Sequence, residues 1–219
     1  MTFLRTASAV VLALVLSGCG EREAPSTTAS TAPDAHAVIA PEHVELFPRS
    51  PALQQQQGEV EFFSYGCRHC QVFAPLLADW ARQQSAPVEY IPVAWNAGTE
   101  LYARFFYLIR SQSNFEALHQ GMFEQVIAFD RQTPLEQRRD SLIEWLQQQG
   151  LSVEVIAQGL TSPSTGVALE RAKQLAQHYQ IASTPTLVVN GTDKILNQKL
   201  TGYPHLLEVA TQRLSPPDK

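Results

Sequence analysis

The apolar run Val60-Glu-Phe-Phe-Ser-Tyr65 ends one glycine short of Cys67-Arg68-His69-Cys70, and no other segment restricts the fold as tightly. A run this dense in valine and aromatic residues, and this short, is expected of a strand covered on both faces. Val72 to Gln83 reads as a helix with Leu76, Leu77 and Trp80 on one face and Pro75 inside it. Val88-Glu-Tyr-Ile-Pro-Val93 is strand-like again. Strand, helix and strand in immediate succession make a βαβ unit. The two cysteines then lie where the first strand gives way to the helix.

The remaining segments fit around this unit. His43 to Phe47 alternates enough for a short edge strand that Pro48 stops, and the Gln54–Gln57 run reads as a loop. From Thr99 to about Leu160 the pattern is helical. Leu101, Phe105, Leu108 and Ile109 form one apolar face; Leu118, Met122, Val126 and Phe129 form another. A third helix, Ser141 to Gln149, stops at Gly150, and a short helical piece follows Ser152. Val167 to Gln180 predicts a longer helix, with Ala168, Ala172, Leu175 and Tyr179 on its apolar side. Strands return at Thr186–Val189 and Lys194–Leu196, turned by Asn190-Gly191, and a last helix starts at Pro204 behind Gly202. The expected class is α/β, a small sheet interrupted by a helical insertion. Its parts would be residues 42–98, the insertion 99–162, and 163–219.

The N-terminus carries its own signals. Met1 to Arg5 is a short basic start, and Ala7 to Leu16 is an apolar run of signal-peptide length, too short to span a bilayer comfortably. Leu16-Ser17-Gly18-Cys19 resembles the lipobox of bacterial lipoproteins. That likeness implies removal of residues 1–18 and lipidation of Cys19, with an ordinary secretory signal as the plain alternative. Several acyl chains would anchor the protein firmly. Gly20 rather than Asp after the cysteine favours the outer membrane over the inner, on the periplasmic side. Residues 19–41, rich in Ala, Ser, Thr and Pro, read as a tether of about 75 Å extended, or about 25 Å as a flexible coil. Arg5 is the only charge before Cys19, so the remainder carries 15 basic and 21 acidic residues, a balance of −6. A mildly acidic chain without a basic run has no footprint for nucleic acid.

With Cys19 lipidated, only Cys67 and Cys70 remain, in a compartment that permits disulfides. A bond closing so small a loop stabilises little, so the pair is expected to be chemical. Alone, Cys-x-x-Cys also suits half a zinc site. There is no second cysteine pair, and the other histidines lack close ligand spacing. A cysteine at a helix N-terminus has its thiolate stabilised by unpaired N–H groups and the helix dipole. Arg68 and His69 add positive charge and are expected to lower the Cys67 thiol further. A stable thiolate makes the disulfide a stronger oxidant.

The segment Glu61-Phe-Phe-Ser-Tyr-Gly-Cys67-Arg-His-Cys70 closely resembles the active-site segment of the DsbA family of periplasmic dithiol oxidases. Pro75, five residues past Cys70, matches the helix proline of thioredoxin-like folds. Ser183-Thr184-Pro185-Thr186 to Gly191 is similar to the family's cis-proline strand, and the helical insertion falls where the family has its own. The resemblance implies a thioredoxin-like fold with an inserted α-helical subdomain. It implies that Cys67 is the exposed attacking sulfur and Cys70 the buried resolving one. Pro185 would be cis and face the disulfide, with the Thr184 backbone pairing to substrate like an added strand. Glu61 would be the acid buried beneath the disulfide. A carboxyl within an apolar strand is costly to ionise and fit to relay the Cys70 proton; the alternative is an outward-facing strand residue.

Two positions depart from the pattern: Arg68 stands where the best-known members have proline, and Thr184 where they have valine and isomerase-like relatives have threonine. The expected function is oxidation of reduced or unfolded exported proteins by exchange through Cys67–Cys70, in a monomer with no metal and no cofactor beyond that disulfide. Reoxidation would need a DsbB-like, quinone-linked membrane oxidase. A reductase or isomerase of the same fold is the alternative. A thiol-based metal-binding lipoprotein, for instance for Cu(I), is a third reading from a different class.

Overall fold

The computed structural model describes residues 43–53, 58–129 and 131–214. The expectations for the signal segment, Cys19, the tether and the Gln54–Gln57 loop lie outside them. Five strands form one mixed sheet in the order β1-β5-β4-β2-β3: β1 Val44–Leu46, β2 Glu59–Phe63, β3 Val88–Pro92, β4 Thr186–Val189 and β5 Asp193–Ile195. Only β2 and β3 run parallel; β1–β5, β5–β4 and β4–β2 are antiparallel. All of β2 is buried, as its composition demanded of a strand with neighbours and cover on both faces.

The cover has two parts. Helix α1 (Arg68–Gln84) and helix α7 (Tyr203–Arg213) close one face, packing Phe73, Leu77 and Trp80 with Leu206 and Val209 against Leu187, Val189 and Ile195. Between β3 and β4 the chain makes five helices, α2 Ala97–Ile109, α3 Phe115–Ala128, α4 Leu135–Gln148, α5 Val153–Thr161 and α6 Pro163–His178. Phe105, Met122, Leu142, Ile156 and Leu175 from this block join Val60 and Phe62 in the larger core. The architecture is the expected sheet with a helical insertion.

Several boundaries differ from the sequence reading. α1 begins at Arg68, four residues before the expected Val72, because Cys67 itself caps the helix: its sulfur accepts from the Cys70 N–H at 3.2 Å. The buried face of α1 is Cys70, Phe73, Ala74, Leu77 and Trp80, while Leu76, expected inside, is exposed. α4 starts at Leu135 behind Pro134 rather than at Ser141. α6 starts at Pro163, capped by Ser162 and ending at His178, so Val167 is an exposed mid-helix residue instead of the first one. α2 is apolar on nearly every side, with Tyr102 and Phe106 buried as well as Phe105, Leu108 and Ile109. That is the pattern of a core helix rather than an amphipathic one.

Candidate active site

The register of β2 fixes where Glu61 points. Residues directly opposite in an antiparallel pair share a face of the sheet. Glu61 is opposite Leu187, which packs with α1 and α7. Its side chain is therefore on the α1 side, below the helix that carries Cys70. Glu61 is 1% exposed, and among the described residues neither carboxyl oxygen has a hydrogen-bond partner. Burial, reinforced by the nearby Cys67 charge, holds the carboxyl well above its usual range. The outward-facing alternative is removed.

The cysteines differ sharply in surroundings. Cys67 is half-buried and Cys70 buried, both as free thiols. Cys67 is lowered to about 6, first by a hydrogen bond from the Cys70 thiol, with the Thr184 side chain and the backbone N–H groups of Cys70 and His69 adding to it against partial burial. Cys70 moves the other way, pushed far up by burial, by that same bond to Cys67, and by the Glu61 charge. In the neutral form the Cys67 thiol lies 3.4 Å from the Thr184 carbonyl, to which it can donate. That contact favours the protonated sulfur and is lost on ionisation, so it tempers the drop.

Arg68 and His69 are both exposed, and the leading causes of the Cys67 shift are hydrogen bonds rather than their charges. His69 acts through its backbone N–H, because the helix turn aims that group at the sulfur. Its ring is turned to α7 instead, where Tyr203 Oη lies 3.1 Å from Nδ1 and donates to the His69 carbonyl at 2.9 Å.

The Thr184–Pro185 peptide bond is cis. Thr184 is half-buried beside Cys67, and Asn197 donates from its side chain to the Pro185 carbonyl. His69, Thr184, Pro185, Leu200, Tyr203 and Leu206 line a groove of about 330 Å³ next to the thiols. The structure thus brings Cys67, Cys70, Glu61, Thr184, Pro185 and His69 together and leaves Arg68 at the rim. Asn197 and Tyr203 escaped the sequence reading. Tyr203 is 134 residues from His69, and its only local signal is the helix start marked by Gly202 and Pro204.

A second polar contact anchors the start of the loop. Tyr65, two residues before Cys67, has its hydroxyl 2.7 Å from His119 Nδ1 on α3. His119 is buried among Phe63, Tyr90, Phe115 and Phe123, and burial lowers it to about 3. It stays neutral. Among the described residues, no group of three or more metal-ligating side chains converges.

Comparison with known proteins agrees with this arrangement. The chain is 29% identical over 155 residues to the thiol:disulfide interchange protein DsbA of Pseudomonas aeruginosa, covering 68% of this chain and 71% of that protein. It is 27% identical over 206 residues to the Azotobacter vinelandii protein of the same name, covering 92% and 94%. In fold it is similar to the oxidoreductase DsbA of Xylella fastidiosa, with a TM-score of 0.66 at 20% identity, over 80% of this chain and 94% of that one. The DsbA structure from Pseudomonas aeruginosa also gives 0.66, at 23% identity over 77% and 88%. Since the family model of the DSBA-like thioredoxin domain matches residues 70–207, the chain belongs to that family.

Proposed function

We propose that this chain is a thiol:disulfide interchange enzyme that donates the Cys67–Cys70 disulfide to reduced exported proteins. The reading rests on one observation: a half-exposed sulfur at about 6 is paired with a buried one pushed far up. A substrate thiolate attacks Cys67 Sγ, the Cys67–Cys70 bond breaks, and Cys70 leaves as a thiolate. Its high proton affinity draws the proton that Glu61 holds nearby. A second substrate thiolate then attacks the substrate sulfur of the mixed disulfide. Cys67 departs as the stabilised thiolate, the substrate gains a disulfide, and the enzyme is left with the two electrons. The low pKa of Cys67 makes it a good leaving group in this second step. Thr184 offers backbone to an extended substrate, and Pro185 keeps that strand next to the sulfur. Reoxidation falls to a quinone-linked membrane oxidase of the DsbB kind, and the protein works as a monomer on the periplasmic side, lipidated through Cys19 and favouring the outer membrane.

The reductase or isomerase reading has one observation in its favour. A thiol at about 6 lies between about 3.5 for DsbA and about 7 for thioredoxin. Equilibration of the soluble fragment beginning at Gly20 with glutathione separates the two readings. A potential near −120 mV, about the DsbA value, supports the oxidase; one near −270 mV, about the thioredoxin value, overturns it. Oxidation of a reduced two-cysteine peptide, lost in C67S, checks the direction of turnover.

A further inference from the structure

The first turn of α7 is fastened to the first turn of α1 by one side chain. Tyr203 lays its ring on Phe73, with centroids 5.0 Å apart and planes at 32°, and Phe73 is one helical turn beyond His69. From there its hydroxyl meets the His69 carbonyl at 2.9 Å and the His69 ring at 3.1 Å. A phenol has one hydrogen. Donated to the carbonyl, it leaves an oxygen lone pair for the ring, so an imidazole hydrogen belongs on Nδ1.

We propose that Tyr203 is a positioning residue of the dithiol centre: by holding both the carbonyl and the ring of His69, it fixes the helix turn whose N–H groups face Cys67 Sγ. The two ends of this chain of contacts are on opposite sides of one residue. The His69 carbonyl is held by Tyr203, while the His69 N–H is among the groups that lower Cys67. A helix start has no preceding turn to brace it, because its first N–H groups lack intrahelical partners. An outside clamp on the carbonyl therefore sets how well those N–H groups aim. Tyr203 also remains a donor throughout: burial, with the charges of Cys67, Cys70 and Glu61 behind it, raises the phenol above its ordinary value. The same ring forms a wall of the groove beside Pro185.

The inference rests on the dithiol reading of the site, but its test needs no turnover. Tyr203→Phe removes the hydroxyl and keeps the ring on Phe73. Cys67 ionisation is followed by thiolate absorbance against pH, alongside the glutathione equilibrium constant and thermal unfolding of both redox forms. The expected result is a folded variant whose Cys67 midpoint rises by about half a pH unit, with the exchange constant shifted about threefold toward the disulfide. A folded variant with an unchanged midpoint and exchange constant would overturn the assignment and leave Tyr203 a packing residue. If the phenylalanine variant does not fold, Y203M covers Phe73 without a hydroxyl and is read by the same two outcomes. A wild-type protein that fails to oxidise thiols would sink the oxidase reading, yet its Cys67 titration would still decide the role of Tyr203.

Discussion

Replacing Glu61 by leucine should make the protein more stable and slower at once. Glu61 is enclosed by the sheet and α1, with no partner for either oxygen among the described residues. An unpartnered buried polar group costs about 1–3 kcal/mol even when neutral. A second cost depends on pH. In the unfolded chain the carboxyl releases its proton near its ordinary value of 4.5, whereas burial keeps it protonated well above that in the folded protein. Between those two values the native state binds the extra proton, so stability falls as pH rises, by up to about 1.4 kcal/mol per unit. Glu61→Leu removes both costs. Its advantage over the wild type should be about 1–3 kcal/mol below pH 4, where both states are protonated, and larger at pH 7. Urea unfolding at the two pH values measures this, with the oxidised form used so that Cys67 carries no charge. The same variant should oxidise a reduced peptide on the order of a hundredfold more slowly at pH 7, the lower end of what a positioned proton donor contributes. A pH-independent difference would mean that Glu61 titrates in the fold as it does in the unfolded chain, and a leucine variant less stable than the wild type at pH 7 would mean that its carboxylate is paired; either result ends the proton-holding role.

Alkylation of the reduced protein should follow a single ionisation near about 6, with Cys67 modified and Cys70 spared. Thr184→Val takes away one side chain that stabilises the thiolate and should raise that midpoint by about half a unit to one unit, visible in the same rate profile. His119, lowered to about 3 by burial, is neutral in the fold but titrates ordinarily once unfolded. The His119 contribution to native stability should therefore drop by up to about 1.4 kcal/mol per pH unit as pH falls from about 6.5, against the opposite slope from Glu61. His119→Phe should flatten that acid limb in denaturant titrations at pH 4 to 7; an unchanged slope refutes the assignment. Gly58 has a φ of +134°, and an added Cβ would lie 2.3 Å from the Pro87 carbonyl oxygen. Gly58→Ala should lower stability by at least about 2 kcal/mol, read from the urea midpoint.

The parts of the fold visible in the sequence are those set by composition over a short window. β2 shows as an apolar run because both of its faces are covered, and the Asn190-Gly191 turn shows because Asn190 adopts a φ of +55° and Gly191 one of +70°. The sequence places Cys67 at the N-terminus of a helix, as observed, but the apolar stripe is counted only from Val72, because cysteines are not read as part of a hydrophobic face. The true face of α1 was displaced for the same reason: with Cys70 inside, the stripe runs through Phe73 and Leu77 and leaves Leu76 in solvent. At the site, the sequence offers both the helix N–H groups and the charges of Arg68 and His69 as causes of Cys67 acidity. Three-dimensional placement made hydrogen bonds the leading cause, two of them from backbone groups that every sequence has. The burial of Glu61 was decided by its register against Leu187, a pairing across 126 positions that no local pattern encodes. Tyr203 is a similar case, since nothing near it mentions His69.

The position of β1 has a mechanical consequence. It is the outermost strand at the end of the sheet opposite β3, with β5 and β4 standing between it and β2. Tension entering from residues before His43 reaches the β1–β5 ladder first. That ladder is reinforced where Lys194, ion-paired to Glu45, also stacks its ammonium over the Phe47 ring at 4.7 Å. Such a strand can peel away as a small unit of local unfolding. The thiols, mounted at the end of β2, would keep their spacing while it does. The edge strand and the reactive pair thus sit on different strands of one sheet, and loosening the first need not disturb the second.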